Sequence, residues 1–308
     1  MRTAYITHPD CLLHNMGDFH PESPSRLHAI TDRLVASHLM SLLKHYDAPL
    51  VERSQLLRVH AAEYVDHIAS IAPTEGMVEL DADTSMNPYT LQAAYRAAGA
   101  VVKAVDLVMT GEAENAFCAI RPPGHHAEHN RAMGFCLFNN IAVGAAHALE
   151  HHGLQRVAIV DFDVHHGNGT EDIFHYEPRV LFCSTYQHPY YPNTPIDDSR
   201  PNLVHAPLPA GAYSEDFQQA VTEHWLPALE AFKPEMIFVS AGFDAHFEDD
   251  MGMLNLLDTD FAWVTERIVE VAARHANNRV VSALEGGYVM NALGRSAAAH
   301  IRVLMGIH

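Results

Sequence analysis

The sequence predicts an α/β fold: a central, mainly parallel sheet flanked by helices on both faces. Two observations carry this expectation. Short apolar runs rich in β-branched residues alternate with longer segments of helical period along the whole chain, the pattern of a parallel sheet. Reactive side chains (His125, His126, Asp163, His165, Asp244 and Tyr288) fall just past the ends of those runs, and open α/β sheets place their sites outside the carboxyl ends of the strands. With no linker, repeat or low-complexity segment in 308 residues, one domain spanning 1–308 is the economical reading.

The first strand is expected at 4–7, in an N-terminus with no signal-peptide apolar region. A polar loop leads to the Ser23-Pro24 pair, which reads as the start of a helix over 25–38. Arg26 in its first turn opposes the helix dipole. It therefore either meets a carboxylate or lines a cavity, or is simply solvated. Helical period returns at 61–71 and 90–109, the second ending at Thr110-Gly111. Between them, Asp81 and Asp83 sit in a loop rich in Asp and Pro. They are either rim carboxylates that orient a substrate or ordinary surface acids.

A strand at 115–120 runs into Arg121-Pro122-Pro123-Gly124-His125-His126, whose prolines and glycine force a turn. A helix follows at 141–151, then a buried strand from Val157, and another strand at 180–185 that exits into the aromatic loop His188-Pro189-Tyr190-Tyr191-Pro192. Helix 214–232 takes Ser214 as its N-cap, with Asp216 in the first turn. A strand at 236–244 carries Asp244 at its C-terminal end, a helix covers 258–276, and a strand at 280–284 ends in Glu285-Gly286-Gly287-Tyr288. A closing helix is expected over 291–305.

Composition narrows the class. A hydrophobic content of 48% allows a large core, and no apolar run is long enough to span a membrane. Cys11, Cys118, Cys136 and Cys183 are scattered with no CxxC pair; buried free thiols and a cytoplasmic location are expected. A net charge of −19, from 19 basic and 38 acidic residues, argues against nucleic acid and fits a cationic substrate.

The chemistry centres on the stretch from Val157 to Thr170, where an apolar run ends in Asp161-Phe162-Asp163-Val164-His165-His166-Gly167-Asn168-Gly169. Alternation along a strand points Asp161, Asp163 and His165 to one side and His166 to the other. Converging carboxylates at a buried strand end are costly without a cation, and Asp with His suits a divalent metal, zinc most naturally. The alternative is an Asp-rich turn that caps the next helix. Three ligands and an open position define a catalytic zinc site, a count that Asp163, His165 and Asp244 fill. Zinc there polarises a carbonyl and acidifies a water. His125 and His126 suit proton transfer, with Asp161 and Asn168 the nearest groups to orient them. Tyr288 is placed to donate its phenol to a developing oxyanion. Together these describe metal-assisted hydrolysis of an amide.

In these residues the chain resembles zinc-dependent histone deacetylases of the class II-like type found among bacterial deacetylase-like amidohydrolases. The resemblance rests on Arg121-Pro122-Pro123-Gly124-His125-His126, Asp161 to Thr170, Ala241-Gly242-Phe243-Asp244-Ala245, Glu285-Gly286-Gly287-Tyr288 and His20-Pro21-Glu22-Ser23-Pro24-Ser25-Arg26. It implies the arginase-deacetylase fold with one zinc on Asp163, His165 and Asp244. It makes His126 the general base and acid, and His125 its electrostatic partner, hydrogen-bonded to Asp161. Asn168 behind His126 marks the class II type, since class I members have Asp there. Tyr288 matches the transition-state tyrosine. Gly134, Phe135 and Tyr191 match the walls of the acyl-lysine channel, with Gly287 and Asp83 completing the expected substrate-binding set. Structural potassium is implied at Asp161, Asp163, His165, Ser184 and Thr185, with a second ion near Phe174 and Val180. Dimers or tetramers are also implied.

The related arginases use two manganese ions and need further Asp ligands where this chain has Gly167 and Gly242. Two substrate classes are expected to compete: acetyl-lysine in proteins or peptides, and acetylated polyamines. Polyamine-selective relatives carry a glutamate where this chain has Met251, which leans toward acetyl-lysine. A protein that binds acylated ligands without hydrolysing them would be expected to have lost the tyrosine, a zinc ligand or the base, and all are present.

Overall fold

The computed structural model describes residues 2–197 and 199–307; the domain expected over 1–308 also takes in Met1, Asp198 and His308, which lie outside the described residues. The strands are β1 (Thr3–Thr7), β2 (Lys44–Asp47), β3 (Val78–Glu79), β4 (Ser85–Met86), β5 (Asn115–Cys118), β6 (Val157–Asp161), β7 (Val180–Gln187), β8 (Leu203–Leu208), β9 (Met236–Ala241) and β10 (Val280–Leu284). The helices are α1 (Ser25–Ala36), α2 (Arg53–Leu56), α3 (Ala62–Ser70), α4 (Thr90–Met109), α5 (Asn140–Glu150), α6 (Asn168–Phe174), α7 (Ser214–Ala220), α8 (Leu226–Phe232), α9 (Asp258–His275) and α10 (Met290–Leu304).

Eight strands form one sheet in the order β2-β1-β5-β10-β9-β6-β7-β8, every pairing parallel; β3 and β4 make a separate antiparallel hairpin. The central strands β5, β6, β9 and β10 are buried at every position, which is why their sequences are continuous apolar runs and not alternating ones. The helices α4 and α5 pack together on one face, and α1, α9 and α10 on the other. Gly144 of α5 lets that helix approach α4, since a Cβ there would drive into Val101. All four cysteines are buried and free. No helix among the described residues is long and apolar enough to cross a membrane.

Where the structure departs from the sequence reading, polarity or tertiary contact is the reason. Strand β2, Lys-His-Tyr-Asp, lies largely exposed at one edge, and β8 carries a proline at the other; neither reads as a strand. The strand expected at 115–120 ends at Cys118. The segment expected as one helix over 214–232 is α7, a π-helical turn at Val221–Trp225, and α8. Ser214 is not its N-cap. The Tyr213 N–H donates to Asp216 Oδ2 at 2.8 Å, while the Ser214 hydroxyl is drawn away to Asp260 Oδ2 at 2.6 Å. Arg26 is fully buried against Glu22 at 3.0 Å, so the solvated alternative is excluded.

Because β5, β10, β9 and β6 are adjacent and parallel, the loops leaving them meet at one edge of the sheet. Those loops carry His125 and His126, Tyr288, Asp244, and Asp163 with His165.

Candidate metal centre and active site

The end of β6 is shaped by its own acids. Asp161 Oδ1 accepts from the Asp163 N–H at 3.1 Å, and Asp163 Oδ1 accepts from the His165 N–H at 2.9 Å. Each carboxylate thus fixes the backbone two residues on, as short acidic side chains do in turns. Neighbouring loops are tied in as well: Asp163 Oδ2 accepts from Gly286 N–H at 2.8 Å, and Asp244 Oδ1 accepts from Val164 N–H at 2.9 Å. A Cβ on Gly242 or Gly286 would collide with the carboxylates of Asp163 and Asp244 respectively, so the close approach requires glycine at both.

Asp163, His165 and Asp244 are buried, and one ligand atom from each lies within 4.8 Å of the others. His165 Nδ1 stands 3.0 Å from Asp163 Oδ1 and 3.3 Å from Asp244 Oδ2. Asp244 Oδ2 has no hydrogen-bond partner among the described residues. Burial and the neighbouring Asp163 charge push the Asp244 carboxyl up to about 7. Burial opposes protonation of His165, but Asp163 and Asp244 outweigh it and lift the imidazole to about 10. Two buried carboxylates with an orphaned oxygen and one imidazole are the donor set of a divalent cation, and zinc fits it.

The paired histidines differ in their partners. His125 Nδ1 lies 2.9 Å from Asp161 Oδ2; burial disfavours its charge, but Asp161 and Asp163 hold it well above the ordinary imidazole range. His126 Nδ1 lies 2.7 Å from Asn168 Oδ1, and the Asn168 amide nitrogen donates to Glu128 Oε1 at 2.8 Å, which fixes that amide's orientation. Burial and the positive His125 and His165 hold His126 well below the ordinary range. Its neutral ring carries the proton on Nδ1 and keeps a lone pair on Nε2. Glu285 Oε2 accepts from the N–H groups of Gly124 and His125 at 2.7 and 3.1 Å, anchoring the turn that presents both rings.

A cavity of about 190 Å³ opens over these groups, lined by Asp83, His126, Gly134, Phe135, His165, Tyr190, Tyr191, Met251 and Tyr288. Tyr191 stands edge-on to His126 and His165 at centroid distances of 5.2 and 5.9 Å, Tyr190 stacks on His165 at 5.7 Å, and Phe135 meets Tyr288 edge-on at 5.9 Å. Gly134, at φ 57°, leaves room for His126, because a Cβ would strike that ring. Burial pushes the Tyr288 phenol well above its ordinary range. The Arg26 guanidinium lies 4.8 Å from the centre of the Tyr288 ring, and Arg26 Nε donates to Gly287 O at 2.7 Å.

Other expected residues lie elsewhere. Gly287 does not line the cavity; it makes the φ 113° turn beneath Tyr288. Asp81 faces Arg131 at 3.6 Å. Ser184 Oγ lies 3.1 Å from His166 Nδ1, and the neighbouring Thr185 Oγ1 is buried without a hydrogen-bond partner among the described residues. The carbonyls of Phe174, Glu177 and Val180 do converge, but on the Asn202 side-chain amide, at 3.0, 3.4 and 3.3 Å.

Tyr190, Glu285 and Asp249 were not assigned roles from sequence. Glu285 stands in the Glu-Gly-Gly-Tyr motif, but nothing in sequence tells of its grip on the 124–125 turn.

Residues 20–304 match the histone deacetylase domain family. The chain is 37% identical to a probable deacetylase of Archaeoglobus fulgidus, over 94% of this chain and 82% of that one. It is 35% identical to a histone deacetylase-like amidohydrolase of Pseudomonas aeruginosa, over 93% and 82%. It is 34% identical to polyamine deacetylase HDAC10 of Homo sapiens, over 99% of this chain and 48% of that one. Its fold superposes on the crystal structure of the HDA15 HD domain with a TM-score of 0.93 at 33% identity, covering 99% of this chain and 88% of that one. The chain is a member of the histone deacetylase family, a hydrolase family of deacetylases and amidohydrolases.

Proposed function

We propose that this hydrolase is a zinc-dependent deacylase that removes acetyl groups from lysine side chains of proteins or peptides. The observation that carries the reading is the cavity itself: the His126 imidazole, the Tyr288 phenol and His165, the one member of the Asp163–His165–Asp244 cluster that lines it, share one narrow, largely aromatic space. Zinc held by those three side chains would supply Lewis-acid polarisation of the amide carbonyl and acidify a water.

The chain's own residues do the rest. His126 Nε2 takes a proton from the attacking water, since Nδ1 is committed to Asn168. His125, kept positive by Asp161, stabilises the negative charge that develops alongside. Tyr288 stays protonated and donates its O–H to the carbonyl oxygen as that oxygen becomes anionic. His126 then returns its proton to the departing lysine amine. Phe135, Tyr190 and Tyr191 hold the aliphatic stem and exclude water.

Acetylpolyamines share this chemistry, and one relative is named a polyamine deacetylase. Met251 lines the cavity here and offers a distal ammonium no charge. The test is turnover of the zinc-loaded enzyme on an acetyl-lysine peptide, N-acetylputrescine and N8-acetylspermidine, side by side. A clear preference for the peptide is expected; a preference for either polyamine would replace the substrate and keep the mechanism. Tyr288→Phe should lower turnover about 100-fold with zinc retained, and wild-type rates in that variant would remove Tyr288 from the reaction.

A further inference from the structure

We propose that the C-terminal ends of α4 and α5 form a second transition-metal site, taking a zinc-class divalent cation on Asp106, His147, His151 and His152. The four residues each offer a ligand atom, and these atoms lie within 4.8 Å of one another. His147 and His151 are four apart, so they share one face of the last turn of α5, while Asp106 reaches across from α4. The rings crowd together: His147 stacks on His151 at 4.7 Å, and His152 stands 5.3 and 4.8 Å from the two.

Three imidazoles and one carboxylate make an N₃O set suited to tetrahedral zinc. All four residues lie at or just past the C-terminal ends of α4 and α5, and the negative end of a helix dipole favours a cation. In the structure one oxygen, Asp106 Oδ1, accepts from both His147 Nε2 and His152 Nε2 at 2.8 Å. A cation at that point replaces the two N–H groups, with the protons moving to Nδ1 of the same rings. The site opens outward: the Asp106 side chain is 40% exposed and His151 is exposed, with His147 buried behind them.

One neighbour opposes the ion. Arg58 Nη1 lies 2.8 Å from His147 Nδ1 and donates to it, which holds the proton of that ring on Nε2. Ligation through Nε2 places a proton on Nδ1, so Arg58 must let go. The cluster is also remote from the cavity described above, because α5 ends where the chain turns back into the start of β6, at the opposite edge of the sheet.

The experiment is zinc content per chain after gel filtration, with affinities from a chelator-dye competition, on the full chain. His151 is exposed and His152 half-buried, both remote from the cavity, so His151→Ala/His152→Ala is expected to fold and to keep wild-type deacylase turnover while holding one zinc fewer than wild type. Arg58→Ala should tighten the zinc that the double variant loses by about tenfold, the scale on which contacts around a ligating imidazole act. Equal zinc content in wild type and double variant overturns the proposal. So does Arg58→Ala that leaves the affinity of that zinc unchanged or weaker. Because the readout is a difference between two chains, it stands whether or not the Asp163 cluster proves catalytic.

Discussion

His126 presents Nδ1 to the side-chain oxygen of Asn168 at 2.7 Å, an acceptor without charge, whereas its neighbour His125 faces the Asp161 carboxylate at 2.9 Å. One ring is therefore oriented without being charged and the other is held as an imidazolium. The division of labour predicts the effect of Asn168→Leu. The ring of His126 loses the contact that fixes its tautomer, and turnover should fall about 10- to 100-fold with zinc content unchanged. A variant with wild-type kcat would show that packing alone orients His126.

Asp249 acts on the tyrosine from behind. Its Oδ2 accepts from the N–H groups of Tyr288 and Val289 at 2.7 and 3.2 Å, and Oδ1 accepts from Met251 N–H at 3.1 Å. One buried carboxylate thus ties the loop after β10 to the loop after β9. Asp249→Ala frees the Tyr288 backbone, and a displacement of about 1 Å at a reacting group can cost about 100-fold. The expected result is a loss in kcat approaching that size, with zinc retained and only a small change in KM. A change confined to KM would place Asp249 in substrate binding instead.

Legibility in the sequence followed how local the determinants are. Asp161, Asp163, His165 and Asn168 lie within eight consecutive residues, and β6 and its exit turn deliver them together, so their pattern can be read directly. The buried strands were equally plain, because a strand covered on both faces must be apolar throughout. What stayed hidden depends on distant partners. Glu22 and Arg121 are 99 residues apart, and nothing local marks either as a buried ion-pair member. Edge strand β2 is polar because it faces water, so it carries no strand signal. The convergence of the Phe174 and Val180 carbonyls on Asn202 turns on backbone geometry, which residue identity does not encode.

Glu22 is the hub of that hidden network. It is fully buried, 3.0 Å from Arg26 Nη1, 2.6 Å from Arg121 Nη2 and 3.3 Å from His14 Nε2. Burial raises its carboxyl, but Arg121, His14 and Arg26 outweigh that and hold it well below the usual range. Glu22→Gln leaves two buried guanidinium groups without a counterion, which should cost about 3–5 kcal/mol of stability. Urea unfolding at neutral pH checks this, and a loss below 1 kcal/mol would mean that the carbonyls of Cys11, Glu285 and Gly287 suffice for the two arginines.

Met251 lines the cavity without adding charge to it, and Asp83 is the carboxylate of the lining. Met251→Glu would place a carboxylate where a polyamine's distal ammonium arrives, forming a half-exposed ion pair of about 1 kcal/mol, roughly fivefold in kcat/KM. The ratio of N8-acetylspermidine to acetyl-lysine peptide turnover should rise by that factor. An unchanged ratio would mean the ammonium is held elsewhere.

His300 couples the core to pH. It lies fully buried among Phe117, Phe162 and Phe243, with Nδ1 2.6 Å from Thr265 Oγ1 and Nε2 2.8 Å from Ser282 Oγ. Burial pushes its imidazole down to about 3 from 6.5. A folded-state value below the unfolded one means that the unfolded chain binds the proton more readily. The contribution is complete above pH 6.5 and drains away as pH falls from there toward 3, at about 1.4 kcal/mol per pH unit. His300→Gln keeps polar atoms near both hydroxyls but cannot titrate. It should be less stable than wild type at pH 7, yet its unfolding free energy should fall less steeply between pH 6 and 4.5, by about one proton's worth of slope. Urea titrations across that interval measure both slopes, and parallel slopes would assign the acid sensitivity to other buried groups.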